Sequence, residues 1–350
     1  MLDTAIKEKL LTGSFIPAHP LALLQDKSLD EASQRRLTRY YIASGADGIA
    51  VGVHTTQFEI HDDFSLYEKV LRLAHEEIEK HAKEDFIKVA GVSGDVAQAK
   101  KEAQLAKELG YHLVLLSNNG LSHVDESQLL ERAREVASII PVIGFYLQPA
   151  VGGRIFSKAY WEQFCEIPHI HAIKAAPFNR YLTIDVARAI MRSSRADEIA
   201  LYTGNDDSII HDLFTVFEEE IDGVIKQKRV VGGLLGHWAV WTSKAVELFH
   251  EIKREREYNA IDVKWMKLAQ QITHANAAFF DAGNEFKGSI AGINEVLKRQ
   301  GMLTTNICIS EKEVMSDGQA ELIDEVYALY PHLHDDKFVH QFLVKETLPI

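Results

Sequence analysis

Cysteine is almost absent: the 350 residues include two, Cys165 and Cys308, and neither sits in a C-x-x-C spacing. Two are too few for a disulfide framework, so a reducing, cytoplasmic setting is expected. Long apolar runs are missing as well. No stretch approaches the roughly 18 residues that a membrane span needs, and residues 1–8 mix charge signs without the apolar centre of a signal peptide. The chain should therefore be soluble and not secreted. Basic charge is in deficit, with 38 Lys and Arg against 51 Asp and Glu and a net charge of -13. Such a surface repels phosphate backbones, which excludes nucleic acid as a partner. A glycine-rich phosphate loop is the last absence. Ile16-Pro17-Ala18-His19 follows the first strand-like segment, where an open nucleotide-binding sheet requires glycines.

What the chain does have is apolar residues, at 46% enough for a large core. Their pattern predicts strands at 13–18, 48–53, 86–91, 112–116, 141–146, 169–174, 199–203 and 233–236. Between and after them it predicts helices at 29–44, 64–81, 96–109, 126–138, 157–164, 183–192, 208–219 and 239–254. Asp30 is placed to cap the first of these helices and Gly45 to end it. Residues 218–231 read as an inserted piece whose Glu218-Glu219-Glu220 and Lys226-Gln227-Lys228-Arg229 form solvated faces. Eight such repeats close into a (β/α)8 TIM barrel, with the strand C-terminal ends forming the mouth where chemistry sits. Residues 1–255 are expected to build that barrel. Residues 256–350, helical in pattern at 262–281, 289–300 and 319–330, are expected to form a C-terminal helical extension used for packing or assembly.

The strand at 169–174 ends on Lys174 and is followed at once by Ala175-Ala176-Pro177. Alternation places Ile170, Ala172 and Lys174 on one face and His169, His171 and Ile173 on the other. A lysine at such a position loses hydration, which disfavours the ammonium form and frees a nucleophilic amine, as an imine-forming enzyme requires. The plainer alternative is a lysine that extends its head into water. The preceding strand ends on Tyr146, one helical segment earlier, which is β-α-β spacing. His169-x-His171 offers a ligand pair, but it faces away from Lys174, so a structural role is expected and no metal or cofactor is assigned. Asn205 and Asp206 could bind substrate hydroxyls or cap the next helix. His54 could touch substrate or be an ordinary loop residue.

Four motifs in order carry a resemblance: His54-Thr55-Thr56-Gln57-Phe58, Tyr146-Leu147-Gln148-Pro149, Ala172-Ile173-Lys174 and Gly204-Asn205-Asp206. They resemble the Gly-Ser/Thr-Thr-Gly-Glu, Tyr-Asn-x-Pro, Gly-x-Lys and Gly-Asp-Asp of the dihydrodipicolinate synthase and N-acetylneuraminate lyase superfamily of Schiff-base aldolases. Asn284-Glu285-Phe286-Lys287 likewise resembles the Asn-Pro-x-Pro-x-Lys that opens a late helix of that family. The resemblance implies that Lys174 forms an imine with the ketone of a 2-oxo acid such as pyruvate. It implies that Tyr146 shuttles protons with Thr55 and that Thr56 helps to hold the substrate carboxylate. His54, Gly204, Asn205 and Asp206 are then placed to bind substrate, and a homo-oligomer, dimer or tetramer, is expected.

Some positions depart from the family pattern. Val151 stands where the synthase has an arginine, with Arg154 the nearest, and Asn118 and Asn119 stand where it takes a tyrosine from the fourth strand. The expected activity is therefore a lyase or dehydratase acting on another pyruvate-type 2-oxo acid, and not dihydrodipicolinate synthesis. Both aldol cleavage or condensation and dehydration of a keto-deoxy acid fit. The alternative is a catalytically silent barrel used for binding or regulation.

Overall fold

Asp3 opens a helix that the apolar pattern did not announce. Its carboxylate accepts hydrogen bonds from Ala5 N (2.9 Å) and Ile6 N (3.3 Å), capping α1 (Thr4–Thr12), and Ile6 and Leu10, one turn apart, are buried. The computed structural model describes residues 2–258 and 260–346. Strands and helices then alternate as the periodicity requires: β1 (Phe15–Pro17), α2 (Glu31–Ala43), β2 (Gly48–Val51), α3 (Phe64–His81), β3 (Ile87–Val92) and α4 (Val96–Glu108). They continue through β4 (Leu113–Leu116), α5 (Glu126–Ala137), β5 (Val142–Leu147), α6 (Lys158–Cys165), β6 (Ile170–Ala176), α7 (Arg180–Arg192) and β7 (Ala200–Thr203). Asp30, Asp63, Asp95, Ser157 and Asn179 each accept a first-turn amide, and so fix where α2, α3, α4, α6 and α7 begin.

After β7 the chain departs from expectation. The helix expected over 208–219 is α8 (Ile209–Phe214) and stops there. It gives way to β8 (Val216–Ile221), which turns at Asp222-Gly223, φ 53° and 77°, and pairs antiparallel with β9 (Val224–Leu235). Asp-Gly suits a two-residue hairpin turn because both positions need positive φ. The charges at 218–231 belong to this hairpin, and they are not all solvated. Glu219 is held by Arg188 of α7 (2.7 Å) and by Arg192.

The far half of β9 runs on into the barrel as its eighth strand, with Gly233, Leu234 and Leu235 in parallel register with Phe15, Ile16 and Pro17. Pairing follows the order β1-β9-β7-β6-β5-β4-β3-β2, and an Ala18–Ala50 bridge, with His19 N donating to Ala50 O at 2.8 Å, returns β2 to β1. The fold is thus the expected (β/α)8 barrel. Helices α9 (Thr242–Glu255), α10 (Lys264–Phe279), α11 (Ser289–Arg299), α12 (Gln319–Leu329) and α13 (Asp336–Glu346) complete it, α13 being unforeseen. Among the described residues no helix is long and apolar enough to cross a membrane.

Strands buried on both faces divide the core in two. Ile16, Val89, Leu115, Ile143, Ala172 and Leu234 pack inside the barrel, whereas Ile49, Val114, Val142, Ile173 and Leu201 pack outside against the helices. Helix α1 closes the end where the strands begin, tied there by Tyr202, whose hydroxyl donates to Leu10 O (2.8 Å) and accepts from Ser14 N (3.1 Å). At the opposite end Ala18, Ala176, Gly204 and Gly236 are too small to fill the mouth, and a recess of about 480 Å³ remains.

Candidate active site

Lys174 projects into that recess from β6. The strand does not stop at the lysine but continues to Ala176, so the side chain rises from within the sheet, between Phe145 of β5 and Tyr202 of β7. A register shift opposite Val142 and Ile143 skips His171 and changes the parity of the strand start. Ile170 therefore joins the outer core, and the residues that share Lys174's inward face are Ala172 and Ala176. Lys174 is 6% exposed, and its Nζ lies 4.3 Å from the centroid of the Phe145 ring. Burial lowers its pKa from the ordinary lysine value of 10.5, while the charge of Asp206 pulls the other way. The amine is thereby brought closer to its neutral, nucleophilic form.

Gly204 makes room for it. A Cβ at that position would lie 2.4 Å from Lys174 Cε and 2.7 Å from Ala176 Cβ. The chain then turns so that Asp206, two residues on, lines the recess as well. Asp206 does not cap α8, the helix that follows it: its Oδ1 accepts the backbone N–H of His237 at 2.8 Å. Burial raises its carboxyl above the usual range, and the Lys174 charge opposes that rise. Thr55 and His54 line the recess from the turn after β2. Burial, with the Lys174 charge adding to it, pushes His54 down to about 4, so its imidazole is neutral at physiological pH.

Five of the eight expected site residues thus meet: Lys174, Gly204, Asp206, Thr55 and His54. Tyr146 does not join them. Phe145 is the residue in register with Lys174, so the next side chain along β5 points out of the barrel. There the Tyr146 ring packs on Phe156 (5.6 Å) and Trp161 (5.1 Å), and its hydroxyl accepts Phe156 N–H at 3.3 Å. Thr56 is also occupied elsewhere. Its hydroxyl donates to His19 O (2.6 Å) and accepts from Gly52 N (2.9 Å) and Val53 N (3.2 Å), which shapes the turn and leaves no reach to a substrate carboxylate. Asn205 is engaged elsewhere: its side chain accepts Phe178 N–H (3.0 Å) and donates to the Asp212 carboxylate (2.9 Å) and the Thr183 hydroxyl (3.2 Å). It positions the loop that carries Phe178. Arg154 donates to the carbonyls of Leu121 and Val124 and is not part of the recess lining.

A substitution checks the outward placement of the phenol. Tyr146→Phe removes one acceptor from a buried amide and should cost about 1 kcal/mol of stability. Imine formation at Lys174 should stay within about threefold of wild type, measured by reductive trapping, whereas losing a general acid would cost roughly 10²- to 10⁴-fold.

Several lining residues were not among the expected site residues, although Gln148 and Phe286 stand within the motifs quoted above. Phe145 and Gln148 come from β5 and the turn after it, Phe178 from the turn after β6, and Phe280, Phe286 and Ser289 from the C-terminal extension. The extension thus lines the recess as well as packing on the barrel. Phe178 and Phe286 meet edge to face at 5.6 Å, and both hold positive φ, 50° and 65°. Strained backbone of this kind persists only where surrounding contacts impose it. Gln57 is a further case. It stands in the family's glycine position with φ 72°, and Ile309 N donates to its side chain at 2.6 Å. Among the described residues no three His, Cys, Asp or Glu side chains gather as a metal ion would require.

Comparison with known proteins agrees with this architecture. The model of the dihydrodipicolinate synthetase family matches residues 12–225, more than half of the chain. Two strains of Bifidobacterium longum have a 4-hydroxy-tetrahydrodipicolinate synthase that is 26% identical over 200 residues, 55% of this chain and 60% of that relative. The likeness thus spans about three fifths of those curated relatives' length. Among solved structures, dihydrodipicolinate synthase from Oceanobacillus iheyensis superposes with a TM-score of 0.74 at 14% identity, covering 93% of this chain and 99% of that one. N-acetylneuraminate lyase from Fusobacterium nucleatum complexed with pyruvate superposes with a TM-score of 0.70 at 18% identity, covering 93% and 99%. At these identities the two structures speak for the fold.

Proposed function

This chain belongs to the dihydrodipicolinate synthetase family, and from that premise we propose that it is a lyase in which Lys174 forms an imine with a 2-oxo acid. The observation that carries the reading is the buried amine at the barrel mouth, with its pKa lowered by burial and its space kept open by Gly204. A protonated imine draws electrons from the bond next to the former carbonyl carbon, so it favours either carbon-carbon cleavage or loss of a proton followed by water. His54, Thr55, Gln148 and Ser289 offer hydrogen bonds to a carboxylate or hydroxyls, and Phe145, Phe178, Phe280 and Phe286 exclude water around the imine. Pyruvate is the simplest such acid, and the lyase from F. nucleatum that shares this fold was solved with it.

A second reading draws support from the outward Tyr146 and the engaged Thr56: the barrel binds a carbonyl compound without turning it over. Turnover separates the two. Incubation with a panel of 4-hydroxy-2-oxo acids and keto-deoxy sugar acids should release pyruvate, for cleavage, or a dehydrated 2-oxo acid, for dehydration. Binding with neither product from any member of the panel would favour the silent barrel.

A further inference from the structure

We propose, building on the imine reading above, that Asp206 is the proton carrier of the reaction, the role that the family resemblance implies for Tyr146. The phenol lies outside the barrel wall, bonded to Phe156 N, so the group that passes protons at Lys174 must come from the recess itself. Two other titratable side chains line that recess with the lysine, His54 and Asp206. His54 is driven down to about 4 and makes a poor proton store at neutral pH. Asp206 is 5% exposed, and the loop that carries it begins at Gly204, against which the end of the Lys174 side chain rests. The His237 amide at 2.8 Å engages one carboxyl oxygen and fixes the plane of the group. Two neighbouring groups bear on it: the charge of Asp207 makes ionisation of Asp206 harder, and the buried His237 ring is itself pushed down to about 4.

Burial acts on the pair in opposite senses, lowering the proton affinity of the amine and raising that of the carboxylate. The two affinities move towards each other, which brings the neutral pair, amine plus carboxylic acid, nearer in energy to the charged pair and makes the two groups titrate together. The step balances on one proton. The neutral Lys174 nitrogen bonds to the carbonyl carbon, the carbon-oxygen π pair moves to oxygen, and the nitrogen's proton passes to that oxygen. Asp206 then gives its proton to the hydroxyl, the carbon-oxygen bond breaks, and water leaves. Amine, ketone and carboxylic acid have become iminium, carboxylate and water. The same carboxylate is then in place to take a proton from the substrate hydroxyl or α-carbon when the carbon-carbon or carbon-oxygen bond breaks.

The consequence is a pH profile. Imine formation needs the pair to hold one proton, so the rate should rise with pH as the doubly protonated pair loses a proton, then fall as the second leaves. The rate of trapping by cyanoborohydride with pyruvate, measured across the acid to alkaline range, should be bell-shaped in the wild type. Asp206→Asn keeps an oxygen for the His237 amide but cannot carry a proton. It should slow trapping roughly 10²-fold at the wild-type optimum, with a rate that only rises with pH, and Asp206→Glu should restore part of the bell. Wild-type trapping that climbs steadily with pH would overturn the proposal without recourse to any variant. So would an Asp206→Asn protein that traps at the wild-type rate or keeps the bell. A wild type that traps no carbonyl compound at all defeats the imine reading itself, a result distinct from either.

Discussion

Lys174→Ala should leave a folded protein that traps no 2-oxo acid and whose turnover is lower by roughly four to six powers of ten, the usual loss when a covalent nucleophile is removed. No other group in the recess can replace it. His54 is neutral but lacks a primary amine, and the hydroxyl of Thr55 cannot form an imine. The fold should survive because the lysine contributes little to stability. Its ammonium is held away from water, a state that costs free energy, and the one carboxylate that acts on it can take up a proton once the cation is gone. Thermal unfolding should therefore stay within a few degrees of wild type, since 1 kcal/mol shifts the midpoint by about 2–4 °C in chains of roughly 150–250 residues and by less in longer ones. Circular dichroism and intact-mass trapping on the same preparation check both halves of the expectation.

Gly204→Ala should have the next largest effect, although residue 204 performs no chemistry. The added methyl would stand 2.4 Å from Lys174 Cε, 3.0 Å from Lys174 Cγ and 2.7 Å from Ala176 Cβ. Ala176 is fixed in β6, so the lysine has to swing away. Overpacking of this kind costs about 1–3 kcal/mol, and an amine displaced by an ångström loses roughly 10²-fold in rate. Trapping should thus fall at least about a hundredfold while the lysine is still present. Gly283→Ala is the matched control: nothing lies within 4 Å of its Cβ, and trapping should not change. If Gly204→Ala traps as fast as wild type, the lysine does not react from the rotamer seen here.

Lys174 and Tyr146 differ in how far the sequence could announce their placement. A lysine inside an otherwise apolar strand is conspicuous, and its own charge tells which face must meet a cavity. Phe145 and Tyr146 carry no such mark. Every residue of β5 is buried, so hydrophobicity cannot distinguish inward from outward, and the Tyr-x-x-Pro motif favoured the wrong face of the strand. Register against β6 settles it, and register is a tertiary property. The start of α2 was readable because Asp30 bonds its own first turn, a signal confined to four residues, and Asp95 and Ser157 turn out to do the same for α4 and α6. The hairpin of β8 and β9 also had a local signal, Asp222-Gly223, but the charges around it suggested solvated faces, and the partners in α7 that neutralise Glu219 lie about thirty residues away. Phe280, Phe286 and Ser289 reach the recess from more than a hundred residues beyond Lys174, a placement that no local pattern encodes.

Asp206 falls between these cases. Its place after a glycine at the end of β7 marked it as a mouth residue, and substrate binding or helix capping were the roles its type suggested. Its link to Lys174 becomes visible only once burial and the His237 amide are known.

The chemistry attributed to this barrel can be read from a single covalent mark. The wild-type protein, incubated with isotope-labelled pyruvate and cyanoborohydride and then digested, should carry the label on the peptide that contains Lys174 and on no other. Label on a different lysine, or none with any 2-oxo acid, would contradict imine formation at this site.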